Sequence, residues 1–175
     1  MQQLNVSILP FQGAPSTAAA IQRAIAASRH HYSVRQLAEK ITEGLRSKDY
    51  LSEAIAIYHF VFTNVRYMRD PAKVELVKEP WILTEQILEG GRPQGDCDDM
   101  TALIGALLSA SGATIRIVAA AFKHVFYKGE RQYSHVFVQV QEPRSGAWIT
   151  LDPVAGKRIG QMHRRIIAAK IFSVL

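Results

Sequence analysis

Hydrophobic positions change their spacing partway along the chain. Up to Gly112 they mostly recur at helical intervals, and beyond it they mostly alternate. The first pattern puts apolar side chains on one face of a helix, the second on one face of a strand. The N-terminus departs from this order. Residues 3–9 alternate Leu4, Val6 and Ile8 with polar neighbours, which predicts a short strand or extended arm broken at Pro10 and Gly13-Ala14-Pro15. Ser16 is placed to cap an alanine-rich helix running to about Ser28. His30-His31 fall in a loop. Adjacent histidines do not share a helix face and no acid or cysteine is close in sequence, so they read as a loop pair and not as a metal site.

Ser33-Val34-Arg35-Gln36 has the form of a capping box, followed by the stripe Val34, Leu37, Ala38, Ile41 and Leu45. A second stripe, Leu51, Ala54, Ile55, Tyr58, Val61, Phe62 and Val65, predicts another amphipathic helix after Ser47-Lys48-Asp49. It should end before Arg69-Asp70-Pro71, because the residue before proline resists helical geometry. Tyr58, Phe60 and Phe62 read as core and helix-face residues. Pro80-Trp81 opens a new segment, with a short helix over Thr84–Glu89 stopped by Gly90-Gly91. After a turn-like Arg92–Gly95, the residues Met100, Leu103, Ile104, Leu107 and Leu108 mark a buried helix with Cys97 in its first turn.

Strands follow. Thr114–Phe122 contains Ile115, Ile117 and Val118; Lys128-Gly129-Glu130 is a turn; Tyr133–Gln141 alternates Val136, Val138 and Val140 with His135, Phe137 and Gln139. Pro143-Arg144-Ser145-Gly146 turns into a strand over Ala147–Leu151. Helices first and sheet second predict an α+β fold, with N-terminal helices packed on a C-terminal antiparallel sheet. The tail from Gly156 fits two patterns: Met162, Ile166 and Ala169 on a helix, or Ile167, Ala169 and Ile171 on a strand. In either form it is expected to dock on the body or to mediate oligomer contacts.

A length of 175 residues, 48% hydrophobic and 21% charged, fits one folded domain over residues 1–175. Within it, 1–32 are an arm and helix, 33–155 the core, and 156–175 a basic tail. No apolar run is long enough to cross a membrane, and the start Met1-Gln2-Gln3-Leu4 lacks the features of a secretory signal, so a cytoplasmic protein is expected. A single cysteine excludes an intramolecular disulfide and fits a reducing compartment. The net charge of +6 is spread along the chain, with a local cluster at Lys157-Arg158 and Arg164-Arg165. Such charge favours nucleic acid or an acidic partner, but a solvated basic face is the plainer explanation. There is no Gly-rich phosphate loop, zinc-ribbon spacing or RNA-binding aromatic motif. No specific nucleic acid or membrane partner is therefore expected. No EF-hand loop is present and the acids around Cys97 lack metal-ligand spacing, so neither metal nor cofactor is expected.

Candidate chemistry centres on Gly95-Asp96-Cys97-Asp98-Asp99-Met100. A lone cysteine is ordinarily a small buried hydrophobe. Here the hydrated Asp96, Asp98 and Asp99 imply that the helix start faces solvent or a cleft. The N–H groups and dipole of a helix start favour a thiolate, while the three acids oppose it, so a reactive Cys97 needs a nearby imidazolium. His135 alone reads as a satisfied histidine on a sheet face, and Asp152, before Pro153, as a turn or cap residue. Together the three have a shared logic. A thiol needs a base that takes its proton and later returns it; histidine does both, and a carboxylate at a neighbouring strand end holds its tautomer.

Gly-Asp-Cys-Asp-Asp before an apolar helix, Ser-His-Val-Phe-Val on a strand and Trp-Ile-Thr-Leu-Asp-Pro resemble the transglutaminase-like branch of the papain-like cysteine enzymes. The resemblance spans about residues 33–155, including the helix ending Asn64-Val65-Arg66-Tyr67. It implies a catalytic triad of Cys97, His135 and Asp152. It also implies an acyl-transfer reaction through a thioester at Cys97, resolved by water or an amine, on a protein or peptide carrying a carboxamide. The backbone N–H of Cys97 is one oxyanion candidate, with Gln94 or Trp81 as the second donor. The compact size and the segment Ala18 to Ile41 are similar to small phage- and prophage-encoded members, which implies a virion-associated location and phage structural proteins as partners. The family contains transglutaminases, deamidases, peptidases, peptide-N-glycanase-like enzymes and silent scaffolds. The alternative is therefore a non-catalytic phage assembly protein. A third reading, a metal held by Cys97, His135 and Asp152, lacks a fourth ligand.

Overall fold

A computed structural model of the chain describes residues 6–10, 14–70 and 74–174. Five helices and ten strands lie among them: β1 Val6–Pro10, α1 Ala14–Ser28, α2 Tyr32–Thr42, α3 Tyr50–Asn64, β2 Arg66–Tyr67, β3 Val74–Lys78, α4 Pro80–Leu88, β4 Gln94–Gly95, α5 Cys97–Ala110, β5 Ile115–Ala121, β6 Phe126–Tyr127, β7 Glu130–Arg131, β8 His135–Gln141, β9 Trp148–Leu151 and β10 Ala168–Ser173. Among the described residues no helix is long and apolar enough to cross a membrane.

The expected α+β order holds, and α5 is its axis. Every residue from Asp98 to Leu108 is buried, with α1, α2 and α3 against the helix on one side and β8 on the other. Close packing with α1 depends on Gly105. A Cβ there would come within 2.5 Å of Ile25 Cδ1 and 3.3 Å of Ile115 Cδ1. The main sheet runs β10-β5-β8-β9, antiparallel throughout. Its alternation works as the pattern demands. Val136, Val138 and Val140 enter the core shared with the helices, while Phe137 packs with Val118 and Ala120 on the other face.

Several local expectations change. Helix α1 begins at Ala14, so Ser16 lies inside it and not at its cap. In α2 the cap is His31, whose Nδ1 accepts from the Ser33 N–H at 3.4 Å and lies 2.8 Å from Ser33 Oγ; the capping box at Ser33 is displaced by two residues. Helix α3 buries Ala54, Ile57, Tyr58 and Val61, leaving Leu51 exposed and Ile55 at the margin. Leu45 lies beyond α2 and is exposed. Helix α4 starts at Pro80, four residues before the expected Thr84, because proline suits the first helical position. The tail resolves as the strand β10: the open edge of β5 supplies the backbone partners that a strand needs and a helix does not. Strand β1 pairs with β3, a strand the hydrophobic spacing did not reveal. Leu4 and Pro71 lie outside the described residues.

Candidate active site

The Gly-Asp-Cys-Asp-Asp stretch folds into the first turn of α5, and each residue has its own task. Gly95 sits against Asp99 so closely that a Cβ on residue 95 would lie 2.6 Å from the Asp99 Cβ. Asp96 caps the helix: its Oδ1 accepts from the N–H of Asp98 at 2.9 Å and of Asp99 at 3.3 Å. The Asp99 carboxylate leaves the site altogether. It accepts from the Lys78 backbone N–H at 2.8 Å and pairs with Lys78 Nζ, fastening β3 to α5. Asp98 is buried beside the thiol, 3.4 Å from its Oδ1 to Cys97 Sγ. Hydrated acids facing solvent were expected here; instead Asp98 and Asp99 are buried. The Lys78 backbone N–H and ammonium replace the water that the Asp99 carboxylate gives up.

The electrostatics follow from this crowding. Burial first, then the charges of Asp98 and Asp96, push the Cys97 thiol well above its ordinary range; the backbone N–H of Val136 favours the thiolate and offsets part of this. Asp96 is pushed up to about 7, chiefly by burial and then by Asp99 and Asp70. The helix dipole alone does not win against a buried sulfur between acids.

Strand β8 carries the other half. The Val136 N–H lies close enough to the Cys97 sulfur to favour its thiolate, and the Val136 carbonyl accepts from Thr101 Oγ1 at 3.2 Å, so the first turns of α5 are docked on the residue next to His135. On the next strand, Asp152 follows the end of β9. Its Oδ2 lies 2.7 Å from His135 Nε2, and both side chains are buried, at 1% and 6% exposure. The carboxylate is fixed from behind: Oδ1 accepts from the N–H groups of Val154 at 3.1 Å and Ala155 at 3.2 Å. With Nε2 donating to Asp152, the ring's Nδ1 is left as the acceptor.

Gln94 lies in β4, paired in parallel with Arg66 of β2, two residues before the helix cap Asp96. Trp81 stacks on His31 at 5.0 Å, and its carbonyl accepts from Thr84 Oγ1 at 2.7 Å.

Two neighbours were not among the sequence candidates. Tyr67 of β2 is half exposed and lies near enough for the charges of Cys97 and Asp96 to raise its hydroxyl pKa, after burial. His163, from the segment between β9 and β10, stands edge-on to the His135 ring at 5.0 Å, with Nε2 3.8 Å from Asp152 Oδ2. A histidine in a basic tail gave no local signal; only the return of β10 to β5 brings it here. Ligand atoms also gather more closely than the sequence spacing implied. Those of Asp96, Cys97 and Asp98 lie within 4.8 Å of one another, as do those of His135, Asp152 and His163.

A cysteine opening a buried helix that packs on an antiparallel sheet, with a histidine and an acid paired on adjacent strands of that sheet, is the arrangement of the papain-like cysteine enzymes. The chain belongs to the transglutaminase-like superfamily, whose core matches residues 35–153. Among solved structures, Legionella pneumophila LapG superposes with a TM-score of 0.52 at 18% identity, over 89% of this chain and 87% of LapG. Its calcium-bound form gives 0.54 at 17% identity over the same shares. A Parabacteroides distasonis protein described as a candidate protease gives 0.58 at 13% identity over 86% of this chain; the chain spans 30% of that protein's length. These likenesses concern the fold. No curated protein matches the chain.

Proposed function

We propose that this protein is a cysteine-dependent acyl-transfer enzyme in which Cys97, His135 and Asp152 act as a triad. The observation that carries the reading is the buried 2.7 Å contact between His135 Nε2 and Asp152 Oδ2, on a strand whose next residue, Val136, accepts from Thr101 of the Cys97 helix. Cys97 Sγ attacks the carbonyl carbon of a carboxamide or peptide, and its proton passes to His135 Nδ1. Asp152 accepts from Nε2 and stabilises the imidazolium that forms. The tetrahedral intermediate collapses, the C–N bond breaks, and His135 returns the proton to the leaving amine. Water or a second amine then attacks the thioester. Because the thiol is held neutral, the proton leaves sulfur as the attack proceeds, and His135 works as a general base.

The oxyanion is met by the backbone N–H of Cys97, the first residue of α5, with Gln94 as second donor. Asp96 already occupies the N–H groups of Asp98 and Asp99, which leaves that of Cys97 for the substrate. Trp81, stacked on His31, takes a packing role.

The acids beside the sulfur fit a hard cation. Asp96 and Asp98 set carboxylate oxygens close together, and Lys78 is committed to Asp99. Calcium takes oxygen ligands, so these two carboxylates would hold it without the sulfur, as suits a relative of calcium-bound LapG. Bound there, its charge would favour the thiolate. EGTA should then slow Cys97 alkylation and calcium restore it; a rate indifferent to both counts against the cation.

The test of the enzyme is turnover of labelled casein and incorporation of a dansylated amine into a glutamine peptide. One of the two is expected in the parent and neither in Cys97→Ala. Turnover retained by Cys97→Ala refutes the proposal.

A further inference from the structure

The geometry points to a transition-metal site formed by His135, Asp152 and His163, at which zinc binds and switches off the proposed proton relay. The donor atoms are already assembled. His135 Nε2 lies 2.7 Å and His163 Nε2 3.8 Å from the same Asp152 oxygen, and all three ligand atoms fall within 4.8 Å of one another. A tetrahedral zinc with bonds of about 2.0 Å sets its ligands about 3.3 Å apart, between the two observed separations. Two imidazoles and one carboxylate are borderline donors that suit zinc better than calcium or magnesium.

The surroundings favour a site over a chance contact. Asp152 is held by the Val154 and Ala155 N–H groups, so its carboxylate is orientated before any ion arrives. The segment that brings His163 is anchored at both ends. Gly160 donates its N–H to the Thr150 carbonyl at 2.7 Å, and Ile167 to that of Ala121 at 2.9 Å. Phe122 walls one side, 5.9 Å from the His135 ring and 5.1 Å from that of His163. His163 is 34% exposed, which leaves the ion a way in from solvent and a fourth position for water.

The consequence is a tautomer switch. In the free protein Nε2 carries the proton donated to Asp152, and Nδ1 is the acceptor. Zinc on Nε2 replaces that proton and leaves the ring's one N–H on Nδ1, so His135 can no longer take a proton from sulfur. Metal binding rests on the cluster alone; the block of chemistry rests on the proposed triad.

The two are tested apart. Zinc chloride is titrated into tag-free Cys97→Ala protein by calorimetry, with cobalt as a spectroscopic stand-in. One equivalent should bind, cobalt should show tetrahedral absorption bands, and Cys97→Ala/His163→Ala should bind at least tenfold more weakly. No heat in Cys97→Ala, or equal affinity without His163, overturns the site. In the parent protein zinc should slow Cys97 alkylation, and in His163→Ala it should not. Protection that persists without His163 would mean the ion sits on sulfur, which overturns the switch.

Discussion

The hydroxyl of Tyr58 reaches across from α3 and shares its one proton between two backbone carbonyls, that of Gly156 at 2.5 Å and that of Asp152 at 3.1 Å. One buried phenol thus fixes both the acid that faces His135 and the start of the segment that returns with His163. Removing it leaves two carbonyls short of a donor. Tyr58→Phe should lower stability by about 1–3 kcal/mol in chemical denaturation.

The same residue sets an alkaline limit. Burial, then the Asp152 charge, pushes the Tyr58 hydroxyl up to about 12 from an ordinary 10.0. The folded state therefore keeps the neutral form while the unfolded chain ionises. This contribution is fully present below pH 10 and is lost as pH rises through about 12. Denaturation midpoints of Tyr58→Phe should fall less steeply than the parent's across that window; parallel curves would show the phenol to be irrelevant there.

Gly95 is required by volume. A Cβ at 2.6 Å from that of Asp99 has to push Asp99 away from β4, and Asp99 is pinned to β3 by Lys78. Gly95→Ala should cost about 1–3 kcal/mol, the usual range for overpacking, read as a lowered melting temperature. A melting temperature equal to the parent's would contradict this.

Asp98 suppresses the thiol. It raises the Cys97 pKa both by charge and by its contact with Sγ. Asp98→Asn should therefore lower the thiol pKa and speed iodoacetamide alkylation at fixed pH, by roughly tenfold for each pKa unit. A slower or unchanged rate would mean that burial alone controls the sulfur.

What the sequence disclosed follows from how local each signal is. Cys97 in the first turn of α5, His135 opposite the Val136–Val138–Val140 face and Asp152 at the end of β9 each sit on an element whose period is unambiguous. The approach of His135 to Asp152 could be inferred from the antiparallel turn between their strands. His163 could not, because its place depends on β10 pairing with β5 about fifty residues away, and Ala169 fits a helix and a strand equally well. Strand β3 escaped for the same reason: Val77 is buried, but its neighbours show no clean alternation. The α3 face was misjudged by a fraction of a turn. Ile55 and Ile57 are equally apolar, and only the position of α5 selects Ile57 for burial. The acids around Cys97 looked solvated because sequence shows their charge but not the cap and the lysine that satisfy them.

The relay is tested most directly by acylation of the sulfur itself. The protein is mixed with p-nitrophenyl acetate and the acetyl adduct on Cys97 is followed by intact-mass spectrometry. His135→Ala should slow the adduct at least 100-fold, within the range of about 10²–10⁴ that general acid–base catalysis contributes. Equal acetylation rates in the parent and in His135→Ala would contradict a proton path from Cys97 to His135.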